Sequence, residues 1–135
     1  MSENVSRKLV LDGSEFEDRI GYARAVVVGP WVFVSGTTGF DYQTKQISGD
    51  VVEQAAQTLR NIDRALERAE ASRADIVQVR YIFPNRDDFP PCWPVLQEYF
   101  GPVRPTATMW VADLADPRCR VEIEVVAYKD SKAAE

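Results

Sequence analysis

The sequence contains no histidine. That absence removes catalytic triads built on an imidazole, zinc sites that use one, and the usual general base near neutral pH. Any chemistry must then use carboxylates, hydroxyls, thiols, backbone amides or water. The carboxylates form no EF-hand loop or other recognisable ligand spacing, so no metal and no other cofactor is expected. Only two cysteines are present, Cys92 and Cys119, far apart and outside any CxxC pair, and both read as reduced structural thiols. Basic residues number 16 against 21 acidic ones, a net charge of −5. With no global positive field to collect phosphates, nucleic acid is not an expected partner. No apolar run approaches the ~20 residues of a spanning helix, and Met1 to Lys8 lack the apolar centre of a secretion signal. The expected address is therefore the cytoplasm, without a membrane partner.

What is present suits one domain. A chain of 135 residues with 45% hydrophobic and 10% aromatic residues can build a single core, expected over about residues 8–128 between two loose polar ends. Ala25 to Val28 and Trp31 to Val34 are β-branched and aromatic runs divided by Gly29-Pro30, which reads as a hairpin whose turn type Pro30 leaves open. Gly36 and Gly39 end the second run, and Asp41 to Lys45 read as a polar loop. From Asp50 the period changes. Val52, Ala55, Ala56, Leu59, Ile62, Leu66 and Ala69 recur at helical spacing, and Asp50 with Glu53 reads as a capping box with aspartate in place of serine. Ile76 to Phe83 reads as a strand with Val77, Val79, Tyr81 and Phe83 on one face. A shorter helix is expected from about Pro91 to Phe100, with Asp88 as its cap and Trp93, Leu96, Gln97 and Phe100 on one stripe. Two strands follow, Thr106 to Asp113 and Arg120 to Tyr128.

The order β-β-α-β-α-β-β defines an α+β domain in which two helices cover one face of the sheet. The other face would leave a wide apolar patch in water, and such patches mark interaction surfaces. Self-association is the simplest way to cover it.

Four segments, Gly21-Tyr22-Ala23-Arg24-Ala25, Val32-Phe33-Val34-Ser35-Gly36-Thr37, Asp87-Asp88-Phe89 and Val121-Glu122-Ile123-Glu124, together resemble the reactive intermediate deaminase (Rid/YjgF) family over roughly residues 8–128. The resemblance implies a chorismate-mutase-like fold with a mixed sheet, a homotrimer, and three clefts between subunits for a small carbonyl- or carboxylate-bearing ligand. Well-studied members hydrolyse enamines or imines to a keto acid and ammonia. By the same resemblance Glu122 is the carboxylate that activates water, Tyr22 closes over the ligand, and Ser35 and Gly36 present a hydroxyl and a backbone amide to a ligand oxygen.

The family's substrate-binding arginine lands on Thr106, which offers one neutral hydroxyl where a guanidinium would clamp a carboxylate at two points. Arg104, two residues earlier, would share Thr106's face at ~6 to 7 Å if the strand were extended there. Trp93 stands where active members often carry asparagine, and Thr108 where several carry cysteine. Arg24 reads as an exposed loop arginine, with a charge offered to the cleft as the alternative. These departures imply a reshaped pocket and little typical 2-aminoacrylate deaminase activity. A non-catalytic binding or regulatory trimer is the second reading, and an endoribonuclease-type activity the third, set back by the acidic balance and the missing histidine.

Overall fold

The computed structural model describes residues 6–131. Eight strands, β1 (Arg7–Val10), β2 (Ala25–Val28), β3 (Trp31–Thr37), β4 (Phe40–Asp41), β5 (Gln46–Ile47), β6 (Ile76–Phe83), β7 (Thr106–Val111) and β8 (Glu122–Tyr128), alternate with α1 (Val51–Arg68) and α2 (Phe89–Phe100). Six of the strands form a sheet in the order β1-β2-β3-β8-β6-β7. All neighbours in it are antiparallel except β6 and β7, which run parallel with α2 as their crossover, so the sheet is mixed as expected.

Side-chain alternation splits the sheet into two faces. Val32 and Val34 on β3, Val79, Tyr81 and Phe83 on β6, and Ile123, Val125 and Ala127 on β8 join Leu59, Ile62 and Leu66 of α1 and Leu96 and Phe100 of α2 in one core. The opposite face carries Phe33 beside Val126, and Trp31 beside Tyr128. Trp31, Phe33 and Tyr128 are exposed.

Several expectations are corrected. Residues 7–10 form a strand that the sequence reading did not name; it begins at Arg7, inside the expected loose end, and pairs through Val10 with Ala25. The polar loop after Gly39 includes the small hairpin of β4 and β5. Gly29-Pro30 closes a two-residue hairpin between the paired Val28 and Trp31, and Gly29 takes φ 58 at the first turn position, the conformation that glycine reaches most easily. On β6 a bulge between Ile76 and Gln78 turns Ile76, not Val77, into the core. The reciprocal capping box does not form: Asp50 accepts from the Glu53 N–H at 3.0 Å, but the Asp50 N–H donates to Ser48 Oγ. Asp88 makes no side-chain cap on α2, because its carboxylate pairs with Arg120 at 2.9 Å.

Candidate active site

Glu122 opens β8 on the uncovered face, paired in register with Ile82. Its carboxylate lies against the backbone of Gly36, where an added Cβ would come within 2.8 Å of the carboxyl carbon, so only glycine leaves this acid its place. The approach occurs where β3 carries an extra residue between Val34 and Thr37, a bulge that breaks its ladder with β8. Burial pushes the Glu122 pKa above the ordinary glutamate value, Glu124 on the same face adds to the rise, and Arg24 opposes it.

Arg24 is where the sequence misleads most. It is 9% exposed, and its guanidinium donates to the Gly36 carbonyl at 2.7 Å and to the Tyr42 hydroxyl at 3.3 Å. Its Nε is buried with no hydrogen-bond partner among the described residues. The expected solvated loop arginine is thus a buried cation held on Gly36, the same residue that seats Glu122. No local signal shows this, since it depends on the loop before β2 folding back over the β3 bulge.

Tyr22 follows a π-type turn over Glu17–Gly21 and is 39% exposed, with its N–H held by the Glu17 carbonyl. Ser35 has spent both its donors: its hydroxyl donates to the Ala23 carbonyl at 2.7 Å and its N–H to the Arg24 carbonyl at 3.0 Å. It therefore staples the Tyr22–Arg24 segment to β3 and can offer a ligand only hydroxyl lone pairs.

Residues outside the sequence reading hold this corner in place. The buried Gln54 side chain donates to the Ser48 and Arg118 carbonyls and accepts from the Arg120 N–H, so α1 fixes the chain just before Glu122. Asn61 donates to the Thr38 and Phe40 carbonyls and fixes the chain just after Gly36. Their positions on the buried stripe of α1 were the available clue, because a buried amide is retained only when it is satisfied.

The other named residues lie elsewhere. Thr106 and Thr108 share the uncovered face of β7 with Trp110, which is in register with Ile82. Thr106 Oγ1 donates to the Val77 carbonyl at 3.2 Å. Two strand spacings and four residues along the sheet put Thr106 roughly 16 Å from Glu122, and Thr108 roughly 12 Å. Arg104 does not share Thr106's face. It takes φ 53, and β7 begins only after Pro105, so Arg104 joins Trp93 on the helix side of the edge strand. One chain therefore gathers Arg24, Gly36 and Glu122 and keeps Trp93, Arg104, Thr106 and Thr108 apart from them.

Both cysteines are free and buried. Burial raises the Cys92 thiol to about 11 and also raises that of Cys119, which makes both poor nucleophiles at neutral pH. Among the described residues no helix is long and apolar enough to cross a membrane, and no group of three or more potential ligands is placed to hold a metal ion.

Comparison with known proteins identifies the lineage. The family model described as Endoribonuclease L-PSP matches residues 13–129. A RutC family protein of Pyrococcus abyssi is 34% identical over 110 residues, covering 81% of this chain and 87% of its own. A 2-iminobutanoate/2-iminopropanoate deaminase of Dermatophagoides farinae is 34% identical over 107 residues, covering 78% and 83%. Among solved structures, a Mycobacterium tuberculosis member of the YjgF/YER057c/UK114 family superposes with a TM-score of 0.82 at 40% identity, over 91% of this chain and 99% of that one. The chain belongs to the Endoribonuclease L-PSP family, the YjgF/Rid family, and has its fold.

Proposed function

We propose that this chain is a hydrolase-type member of its family, acting on a small reactive imine, enamine or related carbonyl- or carboxylate-bearing metabolite in clefts completed between three copies of the chain. Glu122 activates water. The observation that carries this reading is the Glu122 carboxylate seated against Gly36, half-buried and raised in pKa, beside the buried cation of Arg24. A glutamate in that setting exchanges a proton closer to neutral pH than a surface glutamate does, which a general base requires. Gly36 gives the ligand an approach to backbone, and Tyr22 shields it from water.

The separation of the two residue groups supports a shared cleft. Thr106, Thr108, Arg104 and Trp93 reach Glu122 only if a second copy presents them, and the exposed Trp31, Phe33 and Tyr128 supply apolar surface for that contact. A typical 2-aminoacrylate deaminase is not the favoured activity. Thr106 is neutral, and its hydroxyl is already given to Val77. The same observation favours a non-catalytic metabolite-binding trimer as the second reading. An endoribonuclease stays third, since the family's description names that activity while the net charge of −5 opposes it.

The test follows ammonia release from a panel of freshly generated imino acids, 2-aminoacrylate included. Acceleration is expected on at least one panel member and little on 2-aminoacrylate, with Glu122→Gln lowering the accelerated rate by about 10²-fold or more. No acceleration on any member would leave the binding reading.

A further inference from the structure

Between α2 and the helix side of β7 lies an open groove of about 460 Å³, the size range of small-ligand sites. Its wall is aromatic. Tyr81, Phe89, Trp93 and Phe100 line it, with Phe89 and Trp93 edge-to-face at 5.8 Å and Tyr81 and Phe100 edge-to-face at 6.0 Å. Two features set this wall apart from a core that merely reaches the surface. Trp93 is 55% exposed, so a large aromatic side chain faces the groove at the expense of burial. Tyr81 is only 6% exposed as a residue, makes no side-chain hydrogen bond to the described residues, and opens its hydroxyl to solvent on the groove, being absent from the buried polar atoms left without a partner. A hydroxyl that opens on a groove can donate to a ligand acceptor there in place of water.

Charge adds the third element. Arg104 lines the same groove from a left-handed backbone position, φ 53, which costs a non-glycine residue energy. Its guanidinium has neither a hydrogen bond nor an ion pair among the described residues, so a cation stands free beside an apolar wall. Gln97 lines the groove as well.

We infer that this groove binds the side chain of an aryl-substituted carboxylate, the ring lying among Trp93, Phe89 and Tyr81 and the carboxylate on Arg104. The inference rests on the proposed carboxylate-bearing ligand and narrows it to an aromatic one. It also gives the lost arginine at Thr106 a functional counterpart, because Arg104 supplies the carboxylate contact from the other side of the edge strand. Aromatic rings prefer the offset and edge-to-face contacts that such a wall provides, and burying a phenyl group contributes enough to set a clear preference over a methyl group.

Isothermal titration of the full chain with phenylpyruvate and with pyruvate tests it. Phenylpyruvate should bind at least about tenfold more tightly. Trp93→Ala should bring the two affinities within about twofold of each other, and Arg104→Gln should weaken both ligands by about tenfold. Both positions are exposed, and circular dichroism checks that each variant keeps its fold. Equal affinity of the wild-type protein for the two keto acids would overturn the aryl site while leaving the carboxylate reading in place. A phenylpyruvate preference that survives in both variants would overturn the location. Binding of neither keto acid would overturn the inference together with the reading beneath it.

Discussion

Phe83 and Phe33 are the same residue type on strands of one sheet, and their surroundings differ completely. Phe83 is 0% exposed among Phe89 and the other core side chains, whereas Phe33 is 46% exposed and stacks on Trp31, 6.3 Å away. The helix-covered face is apolar and closed. The other face is apolar from Leu9, Val26 and Val28 through Trp31 and Phe33 to Val126 and Tyr128 at the end of β8, but charged and hydroxylic where Glu122, Glu124, Arg80, Thr106 and Thr108 lie. Arg80 pairs with Glu124 at 3.0 Å, and Arg80 also lies over the Trp110 ring at 5.6 Å, so even the charges there are partly organised. Burial on the first face accounts for the fold. On the second, the same strands place groups whose use, in the proposed function, draws on a second copy of the chain.

The largest expected effect tests that division. Phe83→Ala should destabilise the protein by about 3–5 kcal/mol, as large-to-small changes in closed cores do, read from urea denaturation. Phe33→Glu should leave the circular dichroism spectrum unchanged and convert the proposed trimer into a 15.2 kDa monomer in light scattering at micromolar concentration. A wild-type protein already monomeric under those conditions would break the comparison, because the open face would then have no covering copy.

How far the sequence showed each face follows from the same contrast. The covered face announces itself by periodicity, and α1 and β8 lie within two residues of their expected bounds. Its errors are local. Ile76 replaces Val77 in the core because one bulge reverses the alternation, and Asp88 leaves α2 uncapped because Arg120 from the far end of the chain takes its carboxylate. Glu122 and Gly36 were legible through the family resemblance, but their contact was not, since it depends on a second bulge. Arg24 and Arg104 were misplaced for a common reason. Each side chain follows irregular backbone, a folded-back loop in one case and a left-handed residue before proline in the other, where spacing along the sequence no longer fixes direction.

The next effect lies on the charged half of the open face. Thr106→Arg should raise 2-aminoacrylate hydrolysis by about tenfold, because a bidentate charge-assisted contact is worth ~1.5 to 3 kcal/mol against ~1 for a neutral hydroxyl. Ammonia release measures it. Strong wild-type turnover with no gain in the variant would show that another cation already holds the carboxylate. Arg104→Gln and Arg24→Gln would then identify which one.

The smallest expected effect concerns the stability cost of the Glu122 site. Its folded-state pKa is raised, by burial first and by Glu124 second, so the folded protein holds that proton more tightly than the unfolded chain does. Below the ordinary glutamate range both states are protonated and the site costs nothing. As pH rises from that range through the folded-state pKa, stability is lost, and the full penalty is present at neutral pH. Glu122→Gln carries no charge at any pH, so it should be modestly more stable than the wild type at pH 7.5 in urea denaturation. The difference should shrink toward zero near pH 4. Arg24 lowers the Glu122 pKa, so the neutral-pH gain in stability from Glu122→Gln should be larger when Arg24→Gln is also present, a coupling that the four-protein cycle measures directly. A Glu122→Gln protein that is slower but not more stable would mean that an attractive partner offsets the buried charge. If the offset then vanished in the Arg24→Gln background, Arg24 would be that partner. If it persisted, the partner would be another cation, and the slower rate would still leave Glu122 as the proposed water-activating group.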